Sequence, residues 1–358
     1  MPTTRNVART ALATCFGLVA VAACGSGGAD EAQSKQVTLI THDSFNVSKD
    51  VLADFKKQTG YTVKVLKSGD AGQAVNQAVL SKDNPQGDVL FGVDNTLLSR
   101  TIDNGVFAPY QAKGLDRVSK EYQLDAEHRV TPIDTGDICV NYDKNYFADK
   151  KLDPPRTFED LADPKYKNLL VTENVATSSP GLGFLLGTAA EFGDEGWQGY
   201  WKKLKDNGVK VVEGWEQAYN EEFSGSAGGK KAGGDRPLVV SYASSPPVEV
   251  LYADPQPDEA PTGVLTDTCF RQIEFAGLLD GAKNPEGGKK LLDFLIGRTF
   301  QEDLPLQMFV RPVADDAKLP ELFTEFGAEA DRARSLDPKK IADNREAWVK
   351  SWTSLVVK

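Results

Sequence analysis

His42, Asp43 and Ser44 are the three residue types of a hydrolytic relay, and the chain spells them consecutively. Neighbours in sequence cannot form that relay, because the base must be oriented by a third group approaching from elsewhere in space. No G-x-S-x-G elbow and no H-E-x-x-H helix is present, and no carboxylate pair stands apart from the surface acids. Histidine occurs only at 42 and 128, too few for a zinc site with two distant cysteines. No catalytic residue and no metal ligand can therefore be named. Of the four cysteines, Cys139 and Cys269 sit in strand-like runs, Ile138-Cys139-Val140 and Thr268-Cys269-Phe270. Outside the cytoplasm such thiols tend to oxidise; a Cys139–Cys269 disulfide is the favoured reading, with two separate buried thiols as the alternative.

The compartment is read from the first residues. Arg5 and Arg9 precede an apolar run that ends Val21-Ala22-Ala23-Cys24, followed by Gly25-Ser26-Gly27-Gly28. A basic start, an apolar stretch and small residues before the cut make a secretory signal. Apolar-small-small-Cys resembles the bacterial lipobox, whose cysteine is lipidated. The expectation is a signal peptide over 1–23, a lipid on Cys24 and a small, polar, flexible tether over 24–35. Past the signal no apolar run approaches the ~20 residues of a membrane span, so that lipid is the expected anchor on the outer face of the cytoplasmic membrane.

The 358 residues suit two domains, at ~150 residues each. A net charge of -11 argues against a nucleic-acid partner, which needs a basic face.

From Val37 the patterns alternate: strand Val37–Ile40, helix Val51–Lys57 stopped by Gly60, strand Val63–Leu66, helix Gln73–Ser81, strand Asp88–Gly92. Such alternation implies parallel strands and crossover helices, an α/β sheet. A second set follows: strands at Gly136–Tyr142, Leu169–Val171, Val209–Val212 and Leu238–Tyr242, a helix at Gly181–Phe192, then strand Gln272–Phe275 and helix Gly288–Ile296. Pro338–Leu355 reads as a helix whose stripe of Ile341, Trp348, Val349 and Trp352 belongs to a core. Ser224–Asp235, rich in glycine and lysine, reads as a solvated mobile loop.

Five runs, in order and spacing, carry a resemblance: Thr41–Phe45, Asp88–Leu98, Thr177–Gly183, Glu213–Tyr219 and Val240–Pro246, with Arg345–Trp352 at the end. Together they resemble the thiamine-binding substrate-binding proteins of ABC importers, over nearly all the chain from Val37 onward. The resemblance implies an α/β, two-lobed, type II periplasmic-binding fold with two crossover strands as a hinge. It places lobe I at 36–135 and 268–310, and lobe II at 136–267 and 311–358. It also implies a monomer that carries thiamine in the interlobe cleft, uses no cofactor, and serves an ABC permease and its ATPase subunit.

The family's ligand contacts fall on Asp70 and Ala71, on Ser178 and Ser179, on Trp215, and on Tyr242, Ala243, Ser244, Ser245 and Pro246. His42 and Phe309 stand at further cleft positions. The chemistry suits thiamine. Trp215 and Tyr242 offer π faces to a thiazolium, where a desolvated cation gains ~2 kcal/mol. Asp70 can accept from the aminopyrimidine and balance the charge. Ser178 and Ser179 precede a helix, a seat for a phosphate or alcohol tail. Two aromatic positions that close over the phosphate end in relatives are Val248 and Phe309 here, which predicts weaker preference for thiamine phosphates. The rival readings are a polyamine or ferric-iron binder of the same superfamily, or an exported thiamine-degrading enzyme. Iron binders favour a neighbouring tyrosine pair, absent here; the enzyme needs a free nucleophilic cysteine.

Overall fold

The computed structural model describes residues 35–358. The expected signal peptide 1–23, the lipidated Cys24 and almost all of the tether lie outside the described residues. Among the described residues no helix is long and apolar enough to cross a membrane.

One mixed sheet organises the fold. Its strands are β1 (Gln36–Thr41), β2 (Thr62–Lys67), β3 (Val89–Asp94), β4 (Phe107–Ala108), β5 (Thr131–Asp143), β6 (Leu170–Glu173), β7 (Lys210–Val212), β8 (Leu238–Tyr242), β9 (Thr262–Leu279) and β10 (Arg311–Pro312). They lie in the order β2-β1-β3-β9-β5-β8-β6-β7, with β4 beside β9 and β10 beside β5. β1 pairs parallel with β2 and β3, and β6 pairs parallel with β7 and β8. Between these halves run β5 and β9, long and antiparallel to each other. The result is a two-lobed α/β fold in which two crossover strands form the hinge.

Local chemistry sets the elements. Ser48 caps helix Lys49–Thr59 by accepting from Val51 N–H, and Gly60 ends it in the left-handed region at φ 77°, where glycine carries no Cβ penalty. On β1, Val37 and Leu39 face one apolar cluster with Phe55 and Leu291. Ile40 faces the other, which runs on through Leu182, Leu185, Trp201 and Trp352. This alternation is the period of a strand buried on both sides. Helix Pro338–Trp352 supplies Ile341, Trp348 and Trp352 to that second cluster, as the stripe predicts.

Two expectations need correction. The strand read at Gln272–Phe275 is part of an 18-residue strand, because a crossover strand serves both lobes and its burial pattern changes along its length. Ser224–Asp235 is not a free loop: Ala227–Ala232 is helical, and the buried Ser226 accepts from Gly229 N–H and donates to the Tyr219 carbonyl. Glu249 fastens the same turn by accepting from Ala227 N–H and the Tyr219 hydroxyl. Those long-range bonds leave no trace in a glycine-rich composition.

Cys139 and Cys269 form a disulfide that joins β5 to β9 across 130 residues of sequence. It lies where the pairing slips between Ile138 and Val140, packed with Ala243 and Ala330. Closing a loop of that size stabilises by up to about 5 kcal/mol. The double variant Cys139→Ser/Cys269→Ser is expected to lose about 2–5 kcal/mol in chemical denaturation, with the secondary structure retained; an unchanged midpoint would deny the bridge a structural role.

Candidate functional site

A groove opens between the carboxyl ends of the two parallel halves, where open α/β sheets bind ligands. Counted out to its mouth it holds about 620 Å³, but only about 60 Å³ is wide enough for the centre of a water molecule. It is a narrow slot. Asp70 and Ala71 line it from one half, and Ser179, Trp215, Tyr242 and Ser245 from the other, with His42 and Phe309 at further wall positions.

Asp70 is the junction. It caps helix Ala71–Leu80 through Oδ1, which accepts from Ala71 N–H at 2.6 Å. Its Oδ2 accepts from Trp215 N–H at 2.9 Å, on the opposite lobe. Trp215 opens a short helical turn that no side chain of its own caps, so one carboxylate serves two helix starts. Gly214 makes this approach feasible: a Cβ there would stand 2.9 Å from Asp70 Oδ2. Burial raises the Asp70 pKa, opposed first by the Trp215 hydrogen bond.

The aromatic wall is braced from behind. The Trp215 indole stacks on Tyr219 at 5.0 Å and 15° and donates through Nε1 to Ser241 Oγ at 2.9 Å. Ser241 is held in turn by Ser245 Oγ at 2.8 Å. The Tyr242 ring stands 6.4 Å from the indole, inclined by 53°. A braced indole and a phenol inclined to it offer two π surfaces to a flat, bent guest.

His42 fits over Gly92, where β3 bulges and φ is +103°. A Cβ at Gly92 would come within 2.6 Å of His42 Cδ2. His42 Nε2 lies 3.6 Å from Glu274 Oε1, and burial lowers its pKa, so the ring is neutral at neutral pH.

Four residues expected at the ligand do not line the slot. Ser178 is buried as the residue before helix Ser179–Asp206, yet makes no capping bond with its side chain. After Tyr242 the chain turns over. Ala243 packs on the disulfide, and Ser244 donates to the Phe309 carbonyl at 2.6 Å. Both face a separate cavity with Arg271 and Arg311. Pro246 begins the next helix and faces away, toward Lys144 and Val264.

Val248 lines the slot as its position predicts, and other lining residues escaped sequence reasoning: Ser44, Pro180, Met308, Val310 and, above all, Gln272 and Glu274. Gln272 Nε2 donates to Asp94 Oδ2 at 2.8 Å and reaches Ser179 Oγ at 3.3 Å, tying one lobe to the other through the hinge. The signal was present: Gln272 and Glu274 alternate with the apolar Ile273 and Phe275, so two polar side chains share one buried face of the strand. Asp94, Asp134 and Glu173 lie close behind, all buried, and burial raises all three pKa values. Among the described residues no group of three or more His, Cys, Asp or Glu side chains is placed to hold a metal ion.

A profile of bacterial extracellular solute-binding proteins matches residues 84–325, more than half of the chain. The chain belongs to that family. This solute-binding protein is 30% identical over 338 residues to the thiamine-binding periplasmic protein of Brucella melitensis, covering 91% of this chain and 94% of that one. It is 28% identical over 324 residues to that of Escherichia coli, covering 89% and 93%. A solved periplasmic thiamin binding protein superposes with a TM-score of 0.77 at 26% identity, covering 90% of this chain and 96% of the other. The family places the solute-binding protein outside the cytoplasm.

Replacing Asp70 by Ala is expected to cost about 2 kcal/mol or more, because a cap is lost and the part-buried Trp215 N–H is left without its acceptor. Asp70→Asn, which keeps an acceptor oxygen, is expected to lose less. Urea denaturation of both variants checks the order.

Proposed function

We propose that this protein captures thiamine in the interlobe groove and delivers it to an ABC permease with its own ATPase subunit. The observation that carries the reading is the pair of aromatic rings, Trp215 and Tyr242, in a slot whose lining includes Asp70 and Glu274 but no Lys or Arg. An aromatic wall with acids and no competing cation suits a flat, permanently charged guest. The thiamine-binding names of the relatives point the same way. A slot this narrow admits a ring system only when the lobes part, so capture draws an open-closed equilibrium toward the closed form.

In this reading lobe I comprises 36–135 and 268–310, lobe II comprises 136–267 and 311–358, and the protein is a monomer. Thiamine is cargo, no cofactor takes part, and no covalent chemistry occurs. A disulfide occupies Cys139 and Cys269, which leaves neither as a nucleophile for a thiamine-degrading enzyme. After removal of 1–23, a lipid on Cys24 holds the protein at the outer face of the membrane. Val248 and Phe309, which both line the slot, bring no donor side chain for a phosphate end, so thiamine is favoured over its phosphates.

Calorimetric titration with thiamine, its phosphates, spermidine and ferric citrate is expected to give micromolar or tighter binding for thiamine compounds alone, tightest for thiamine itself. Binding confined to spermidine or iron would overturn the reading. Trp215→Ala is expected to weaken thiamine at least tenfold, about 1.4 kcal/mol, and unchanged affinity in a folded variant would remove the stacking role. For the anchor, labelled palmitate fed to cells should enter the wild-type chain and not Cys24→Ala; equal labelling would exclude Cys24 as the site.

A further inference from the structure

The groove holds more carboxyl groups than its hydrogen bonds account for. Asp134 on β5 and Glu274 on β9 stand opposite each other in the hinge pairing, and their carboxyls lie within hydrogen-bonding reach of one another. Asp134 is fully buried behind the wall, whereas Glu274 lines the slot itself. No protein donor reaches Asp134 Oδ2. Two buried carboxyls in contact cannot both ionise, so at least one of them keeps a proton.

The surroundings offer nothing to replace that proton. His42, at the end of β1, is the basic neighbour of Glu274 and is neutral. From the loop after β2 comes Asp70, already accepting two N–H groups. Asp94, at the end of β3, accepts from Thr96, Leu97 and Gln272. β6 presents Glu173, with neither oxygen hydrogen-bonded, and β8 the Tyr242 phenol, whose pKa burial lifts well above the usual value. The Met308–Val310 segment is apolar, and Lys67 spends its ammonium on the Asp43 carbonyl at 2.7 Å.

Building on the thiamine reading, we propose that Glu274 is the seat for the ligand's positive charge, and that capture expels the Glu274 proton into solvent while Asp134 keeps its own and donates it to the Glu274 carboxylate. The charge is then balanced by the thiazolium, and the site becomes selective for ligands that carry a fixed cation. A neutral isostere of the same shape must leave the proton in place.

The sign of the pH dependence follows. In the free protein burial pushes Glu274 to about 8. Below that pH the group holds a proton that binding must remove, so affinity falls with decreasing pH, by up to about tenfold per unit. Above it the proton is already lost and affinity levels off.

Thiamine titrated calorimetrically at pH 7 into the protein, in buffers of different ionisation enthalpy, counts the protons exchanged. The expected result is release of about one proton with thiamine and none with 3-deazathiamine, whose ring carries no charge. Glu274→Gln, checked for folding by near-ultraviolet circular dichroism, should bind thiamine with no release and with affinity independent of pH between about 6 and 8. Thiamine binding without proton release in the wild type, or undiminished release in Glu274→Gln, would overturn this inference and leave the thiamine reading standing. Absence of thiamine binding altogether would overturn both.

Discussion

The hydrogen bond from Trp215 N–H to Asp70 Oδ2 joins residues 145 apart in sequence and links the two halves that line the groove. The rest of the site depends on it. It fixes where the second lobe's aromatic wall begins, because the indole that follows is then oriented by Tyr219 and Ser241. It also fixes how far apart the lobes can stand, because Asp70 is committed at the same time to the helix it caps. A charged acceptor with two backbone donors is among the stronger hydrogen-bonding arrangements. Placed across a hinge, it couples the angle between lobes to the position of the ring that touches the guest.

The hinge is more than a connector. β5 and β9 carry the disulfide at one place and the Asp134–Glu274 pair at another. Gln272, also on β9, reaches Asp94 on one side and Ser179 on the other. A strand that serves both lobes is the one element whose side chains keep a fixed relation to each lobe while the angle changes. Polar residues there can sense occupancy of the groove. Burying that many acids without a protein cation is unfavourable in isolation, and a cationic guest removes the imbalance.

Much of the fold was legible in the chain. Alternation at Val37–Ile40, the Gly60 stop and the apolar stripe through Trp348 and Trp352 are local signals, and each reflects a local cause: strand pleat, a left-handed cap, helical period. Asp70, Trp215 and Tyr242 could be named through the family resemblance, Trp215 and Tyr242 from runs that carry it. Less legible were features set by distant partners. Ala243, Ser244 and Pro246 follow Tyr242 directly, but the chain reverses there, and which side faces the groove depends on contacts with Asp137, Phe309 and the disulfide. Composition made Ser224–Asp235 look mobile, while Glu249 and Tyr219 hold it in place. Gln272 and Glu274 were visible as polar residues alternating with Ile273 and Phe275, and their meaning emerged only when β9 was seen to run through the hinge.

The most direct test of the central claim, that a flat cation is held in the groove against the indole and phenol of one half, is a crystal structure of the thiamine complex. The account predicts the ring system packed against Trp215 and Tyr242, with the thiazolium nearest Glu274 and the Asp70–Trp215 bond intact. Thiamine bound outside this groove, or an indole turned away from it, would contradict the account.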